Sequence, residues 1–166
     1  VAVNLSASSL ADREFVGALE EELELTGADP RRLVFEVTET ALAENLGAAA
    51  DLARRLTELG CRLSLDDFGT GYGSFTYARH LPVSFLKIDA EFVRGIASDR
   101  ASQHVVQAVV NLAQAFGSQT IAEGVEEESA VPLLAELGVD YMQGYLFGKP
   151  KLVERDLVAQ PQARLA

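Results

Sequence analysis

The sequence predicts an α/β fold, a (β/α) barrel of the eight-stranded TIM type, incomplete here with about six of its eight strands present. Three observations carry this reading. Strand-like segments alternate with helical spacing through most of the 166 residues, which implies parallel strands joined by right-handed crossovers. The segment Leu33-Val34-Phe35-Glu36-Val37-Thr38-Glu39 is a nearly continuous apolar run, as expected of a strand buried on both faces of a parallel sheet. Each predicted strand also delivers a polar or charged group near its carboxyl end, the face on which such barrels build their sites.

The elements follow in order. Val1-Ala2-Val3-Asn4-Leu5-Ser6 is β-rich with no turn signal before it, so an upstream segment is expected and the chain reads as one domain, 1–166, lacking its N-terminal portion. Asp12 can cap a helix carrying Phe15, Val16, Leu19 and Leu23, which Gly27 and Pro30 stop. The strand over 33–39 is followed by a helix over 46–59, with Leu46, Ala49, Leu52, Ala53, Leu56 and Leu59 on one face. Cys61 to Leu65 alternates as a strand, with Cys61 buried, and ends at Asp66-Asp67. Val83 to Asp89 forms the next strand, and residues 102–116 a helix with Val105, Val106, Val109, Ala113 and Phe116 inward. Gln119 to Ala122, a helix over 127–137 and a strand over Asp140 to Gln143 complete the pattern, before a tail with a short helical stretch.

Composition narrows the function. Apolar residues make up 48% of the chain, enough for a globular core. No apolar run approaches the ~18 residues of a membrane span, and no signal peptide is visible. With a single cysteine, an internal disulfide is excluded, and a cytoplasmic location is expected. The net charge of −11 argues against binding long nucleic acids, which requires a basic footprint, but not against a small phosphate ligand beside bound metal.

The strand ends supply the chemistry. They carry Asn4, Glu36 with Glu39, Asp66 with Asp67, Lys87 with Asp89, Glu123 with Glu126, and Gln143. Taken singly, Glu39 reads as a cap, Lys87 as a snorkelling lysine, Glu126 as a first-turn helix acid and Gln143 as a turn residue. Six groups at one topological position point instead to a shared site. Carboxylates and an amide oxygen are hard ligands suited to Mg²⁺ or Mn²⁺. Adjacent like charges at Asp66 and Asp67 call for such a cation. His80 and His104 lie away from this face, and no Cys/His cluster for zinc or serine-hydrolase elbow is present. A loop of about fifteen residues, to Leu81-Pro82, follows the acid pair, a length that is unusual unless functional.

Asp66-Asp67-Phe68-Gly69-Thr70-Gly71 resembles the signature of the EAL domain family of cyclic di-GMP phosphodiesterases. Asn4-Leu5-Ser6, Glu36-Val37-Thr38-Glu39, Leu86-Lys87-Ile88-Asp89, Ala122-Glu123-Gly124-Val125-Glu126 and Gln143-Gly144-Tyr145 resemble further motifs of that family, in its order. The resemblance implies hydrolysis of cyclic di-GMP to linear pGpG in bacterial signalling. It implies a two-metal Mg²⁺ or Mn²⁺ site, with Asn4, Glu36 and Asp66 on the first ion and Asp66, Asp67 and Glu123 on the second. Lys87 would hold the attacking water, and Glu123 would serve as general base. Glu39 would brace the long loop, while Asp89, Glu126 and Gln143 would support the site. It also implies a homodimer through the 68–82 loop, with Tyr72, Phe75 and Tyr77 as contacts, and further signalling domains in the parent protein. The Glu-Ala-Leu tripeptide itself is absent from the sequence; the 166 residues alone are therefore expected to be inactive or nearly so. An inactive module binding the nucleotide or a protein, and an unrelated Mg²⁺-dependent barrel enzyme, are the alternatives.

Overall fold

A computed structural model of the chain describes residues 1–12, 14–44, 46–68 and 79–151. Six strands form one sheet: β1 (Ala2–Leu5), β2 (Val34–Thr38), β3 (Arg62–Phe68), β4 (Phe85–Ile88), β5 (Gln119–Ala122) and β6 (Tyr141–Met142). They lie in sequence order, and every adjacent pair is parallel. Helices α1 (Ala7–Ala11), α2 (Phe15–Thr26), α3 (Glu39–Glu44), α4 (Leu46–Glu58), α5 (Ala90–Val93), α6 (Arg100–Phe116) and α7 (Ala130–Glu136) occupy the crossovers.

The two faces of the sheet differ. Leu5, Val37, Leu65, Leu86 and Ile88 point outward and form the core with Leu52, Leu56, Val106, Val110 and Leu134 from the helices. The alternate residues point the other way, with Asn4 paired to Glu36, Glu36 to Ser64 and Ser64 to Phe85 in register. Phe85 packs edge-on against Tyr141 at 6.0 Å, and Arg62 lies 5.1 Å over the Phe85 ring. Ala2 on the first strand and Tyr141 on the last line the same hollow of about 340 Å³. The sheet thus curls around its polar face, as an incomplete α/β barrel does.

Several boundaries differ from those the sequence predicts. The first crossover holds two helices: Ser6 caps α1, and Asp12 ends it while accepting a hydrogen bond from the Glu14 amide. The five residues of α1 are too few to display a periodicity, and the predicted helix follows as α2, stopped at Gly27. Glu39 opens α3, which periodicity missed because six residues are too few to display it. Phe116 is 37% exposed rather than inward, since it sits in the last turn of α6 just before the left-handed Gly117. The strand ending at Leu65 continues to Phe68, so the acid pair lies within it. Strands β4 and β6 and helix α7 are shorter than predicted, and Glu126 lies in the irregular segment before α7, outside any helix. Tyr72, Phe75, Tyr77 and the tail helix fall outside the described residues.

Candidate active site

The site begins with a backbone irregularity. Register between β3 and β4 shifts between Leu65 and Phe68, and Asp67 adopts φ 55°, the only positive φ at a described residue other than glycine. A regular strand would send the two carboxylates to opposite faces. The bulge re-aims Asp67, while Asp66 keeps the alternation of Ser64. The strain of a left-handed non-glycine residue is thereby placed at the centre of the acid cluster. Asp66 Oδ1 also accepts a hydrogen bond from the Asp67 amide at 3.1 Å.

Lys87 occupies the middle of the cluster. Its Nζ lies 2.7 Å from Glu123 Oε1, 3.0 Å from Asp66 Oδ1 and 3.1 Å from Glu36 Oε2. The side chain is almost wholly buried. Burial opposes its charge, but Glu123 and Asp66 outweigh that effect and hold the ammonium well above the usual lysine range. Glu123 is itself pushed up, first by burial and then by the Asp66 and Glu36 charges, against the pull of Lys87. Burial likewise raises Asp67, reinforced by Asp66 and Asp89. Both carboxylates are raised first by burial, and the neighbouring acids add to it.

Asp66, Asp67 and Glu123 can each turn one carboxylate oxygen to within 4.8 Å of the others. Three hard oxygen donors at that spacing fit a divalent cation such as Mg²⁺ or Mn²⁺. Asn4 and Glu36 stand beside each other in register on the same face, with Asn4 exposed on the outermost strand.

The remaining predicted residues sit around this centre. Glu39 is buried at the start of α3, on the strand end that carries Glu36. Asp89 caps α5 by accepting the Glu91 amide at 2.6 Å. Glu126 pairs with Arg94 at 3.3 Å, and both line a depression of about 280 Å³ together with Glu123, Gln143 and Tyr145. Two glycines make that depression possible. A Cβ on Gly124 (φ 64°) would lie 2.5 Å from Ala90 Cβ, and one on Gly144 would overlap the Val125 backbone. His80 and His104 are exposed and distant in character from this chemistry.

Two residues escaped the sequence reading. Ser64, fully buried, points to the polar face beside Glu36, and its hydroxyl finds no hydrogen-bond partner among the described residues. Strand alternation two residues before Asp66 was the available signal. Arg94 had none, because its pairing depends on the turn at Gly124.

The chain matches the sequence profile described as "EAL domain" over residues 1–150. It is 41% identical over 150 residues to the cyclic di-GMP phosphodiesterase NbdA of Pseudomonas aeruginosa, covering 90% of this chain and 19% of that protein. Among solved structures it is similar to the PaMucR phosphodiesterase in complex with c-di-GMP. There the TM-score is 0.84 and identity 37%, covering 93% of this chain and 62% of that one. It is also similar to BlrP1 of Klebsiella pneumoniae in a manganese and cyclic di-GMP complex, with TM-score 0.83 and 33% identity, over 90% of this chain and 38% of that one. The chain spans about a fifth of the length of the curated relatives it matches. By its sequence from Val1 to Pro150 and by its sheet, the chain belongs to the EAL domain family.

Proposed function

We propose that this domain serves a phosphodiesterase that hydrolyses cyclic di-GMP to linear pGpG, using Mg²⁺ or Mn²⁺. The observation that carries the reading is the convergence of Asp66, Asp67 and Glu123 beside the buried ammonium of Lys87. Relatives with this activity, and neighbours solved with the nucleotide, support it.

Asp66, Asp67 and Glu123 would hold one cation, and Asn4, Glu36 and Asp66 a second. Bound there, the metal supplies an activated water and stabilises charge on the leaving oxygen. The chain's own groups do the rest. Glu123, with its proton affinity raised by burial, accepts the proton of the attacking water. Lys87 donates hydrogen bonds from a fixed position, orienting that water and offsetting negative charge on the phosphate. Glu39 is buried at the start of α3, Asp89 caps α5 just after β4, and Gln143 lines the cleft just after β6. Glu126 lines its outer wall. The reading carries with it a bacterial cytoplasmic signalling role, further signalling domains in the parent protein and a homodimer contact through residues 68–82.

The test is nucleotide turnover by the full protein. Hydrolysis of cyclic di-GMP in Mg²⁺ or Mn²⁺, its loss in chelator and its loss in Asp66→Asn with the fold retained are the expected results. Full activity in excess chelator overturns the metal assignment, and binding of the nucleotide without turnover overturns the hydrolase assignment.

A further inference from the structure

We infer that Lys87 is a place-holding counter-ion, whose ammonium keeps the acid cluster folded in the absence of metal and competes with metal for the same carboxylates. The inference rests on the metal-dependent reading above and concerns what the site does before metal arrives.

Glu36, Asp66, Asp67 and Glu123 bring four carboxylates to one end of the sheet, three of them within salt-bridge distance of a single cation. Like charges gathered in a partly buried place disfavour ionisation or folding, unless a cation or protons offset them. Lys87 is nearly inaccessible to solvent and has all three of its ammonium protons matched by carboxylate oxygens, from β2, β3 and the end of β5. It therefore ties three strands together as well as lowering the cluster's charge.

The same atoms define the competition. Asp66 and Glu123 accept from Lys87, yet they are two of the three groups that can converge on a cation with Asp67. A carboxylate oxygen turned toward a metal is turned away from the ammonium or shared with it, and two positive charges a few ångströms apart repel. Lys87 and metal are then linked: each weakens the other's hold by the same factor. The arrangement gives a domain that folds without metal and accepts it against a built-in resistance.

The experiment is Mn²⁺ binding to the full protein, followed by loss of the free-ion paramagnetic resonance signal, with thermal unfolding at each Mn²⁺ concentration. Lys87→Met and Lys87→Gln remove the charge, and Lys87→Arg keeps it. Both uncharged variants should bind Mn²⁺ about tenfold or more tightly than wild type, a difference of about 1.4 kcal/mol or more. They should unfold at lower temperature without metal and gain more from saturating Mn²⁺ than wild type does. Lys87→Arg should stay close to wild type in Mn²⁺ affinity. A charge-free variant that folds only when Mn²⁺ is present supports the inference equally. A folded Lys87→Met or Lys87→Gln that binds Mn²⁺ no more tightly than wild type overturns it. So does a variant that stays unfolded at Mn²⁺ concentrations saturating wild type. Absence of Mn²⁺ binding by wild type overturns the metal reading as well, which separates the two failures.

Discussion

Glu123 Oε1 stands 2.7 Å from Lys87 Nζ, the shortest of the three salt bridges that the lysine makes. It joins the end of β5 to the middle of β4 at the point where the acid pair of β3 also arrives. Replacing Glu123 by Gln removes one charge and little volume. Lys87 keeps Asp66 and Glu36, so the fold should survive, with unfolding temperature within a few degrees of wild type. Turnover of cyclic di-GMP by the full protein should fall by about a hundredfold or more, the usual range for a lost general base. A variant that retains near-normal kcat removes Glu123 from the proton transfer.

Gly144→Ala tests the backbone approach behind the cleft. Its new Cβ would overlap the nitrogen, carbon and oxygen of Val125. Val125 N donates to Gln143 O at 3.0 Å and Leu146 N to Val125 O at 3.1 Å, so the turn after β6 is pinned to the segment after Glu123. The clash can be relieved only by breaking that pairing. A loss of about 1–3 kcal/mol is expected in chemical denaturation, as for other overpacked sites. Unchanged stability would show that the two segments separate freely.

The architecture was legible in the sequence because it depends on repeated signals. Outward positions such as Val37, Leu65 and Ile88 had to be apolar for the helices to pack on them, and that demand left apolar strand segments alternating with helical spacing along the chain. The candidate residues share one topological position for the same reason: Asn4, Glu36, Asp66, Lys87 and Glu123 each lie at or beyond the midpoint of a strand, toward its carboxyl end. What the pattern could not display was geometry set by one or two dihedral angles. The left-handed Asp67 and the bulge beside it extend β3 by three residues beyond the predicted end. Aspartate visits the left-handed region more readily than most non-glycine residues, but that mild preference does not single out Asp67 from Asp66. Likewise the triple pairing of Lys87 depends on strands distant in sequence, and nothing local separates it from a surface lysine. Short helices such as α1 and α3 are set by caps and by contacts, not by periodicity.

Cys61 should be chemically silent in the folded protein. It is buried just ahead of β3, and burial pushes its thiol above the usual cysteine range. A raised pKa leaves less thiolate at any given pH, and thiolate is the reactive form. Modification by a disulfide reagent should therefore start at higher pH than for a free cysteine and run far more slowly. Reaction should become complete in denaturant. Rapid labelling of the native protein at pH 7 would show that the 60–62 turn opens readily.

The last test lies at the opposite end of the sheet. Asp140 Oδ2 accepts hydrogen bonds from the Thr120 amide at 2.8 Å and the Thr120 hydroxyl at 2.9 Å, and Thr120 Oγ1 in turn accepts from the Asp140 amide at 3.1 Å. Thr120 is wholly buried on β5, whereas β6 has only two residues in the ladder. This three-bond clasp therefore does much of the work of holding the sheet's last strand, at the amino-terminal face, which in barrels serves stability rather than chemistry. Asp140→Ala removes the acceptor of the Thr120 amide and of the Thr120 hydroxyl hydrogen and should destabilise the domain by about 1–3 kcal/mol. Asp140→Asn keeps an oxygen acceptor and should lose less. Because the clasp is far along the strand from Glu123, Mn²⁺ affinity measured below the unfolding transition should match wild type in both. An Asp140→Ala variant as stable as wild type would show that β6 is held by its backbone ladder and by the Phe85–Tyr141 contact alone.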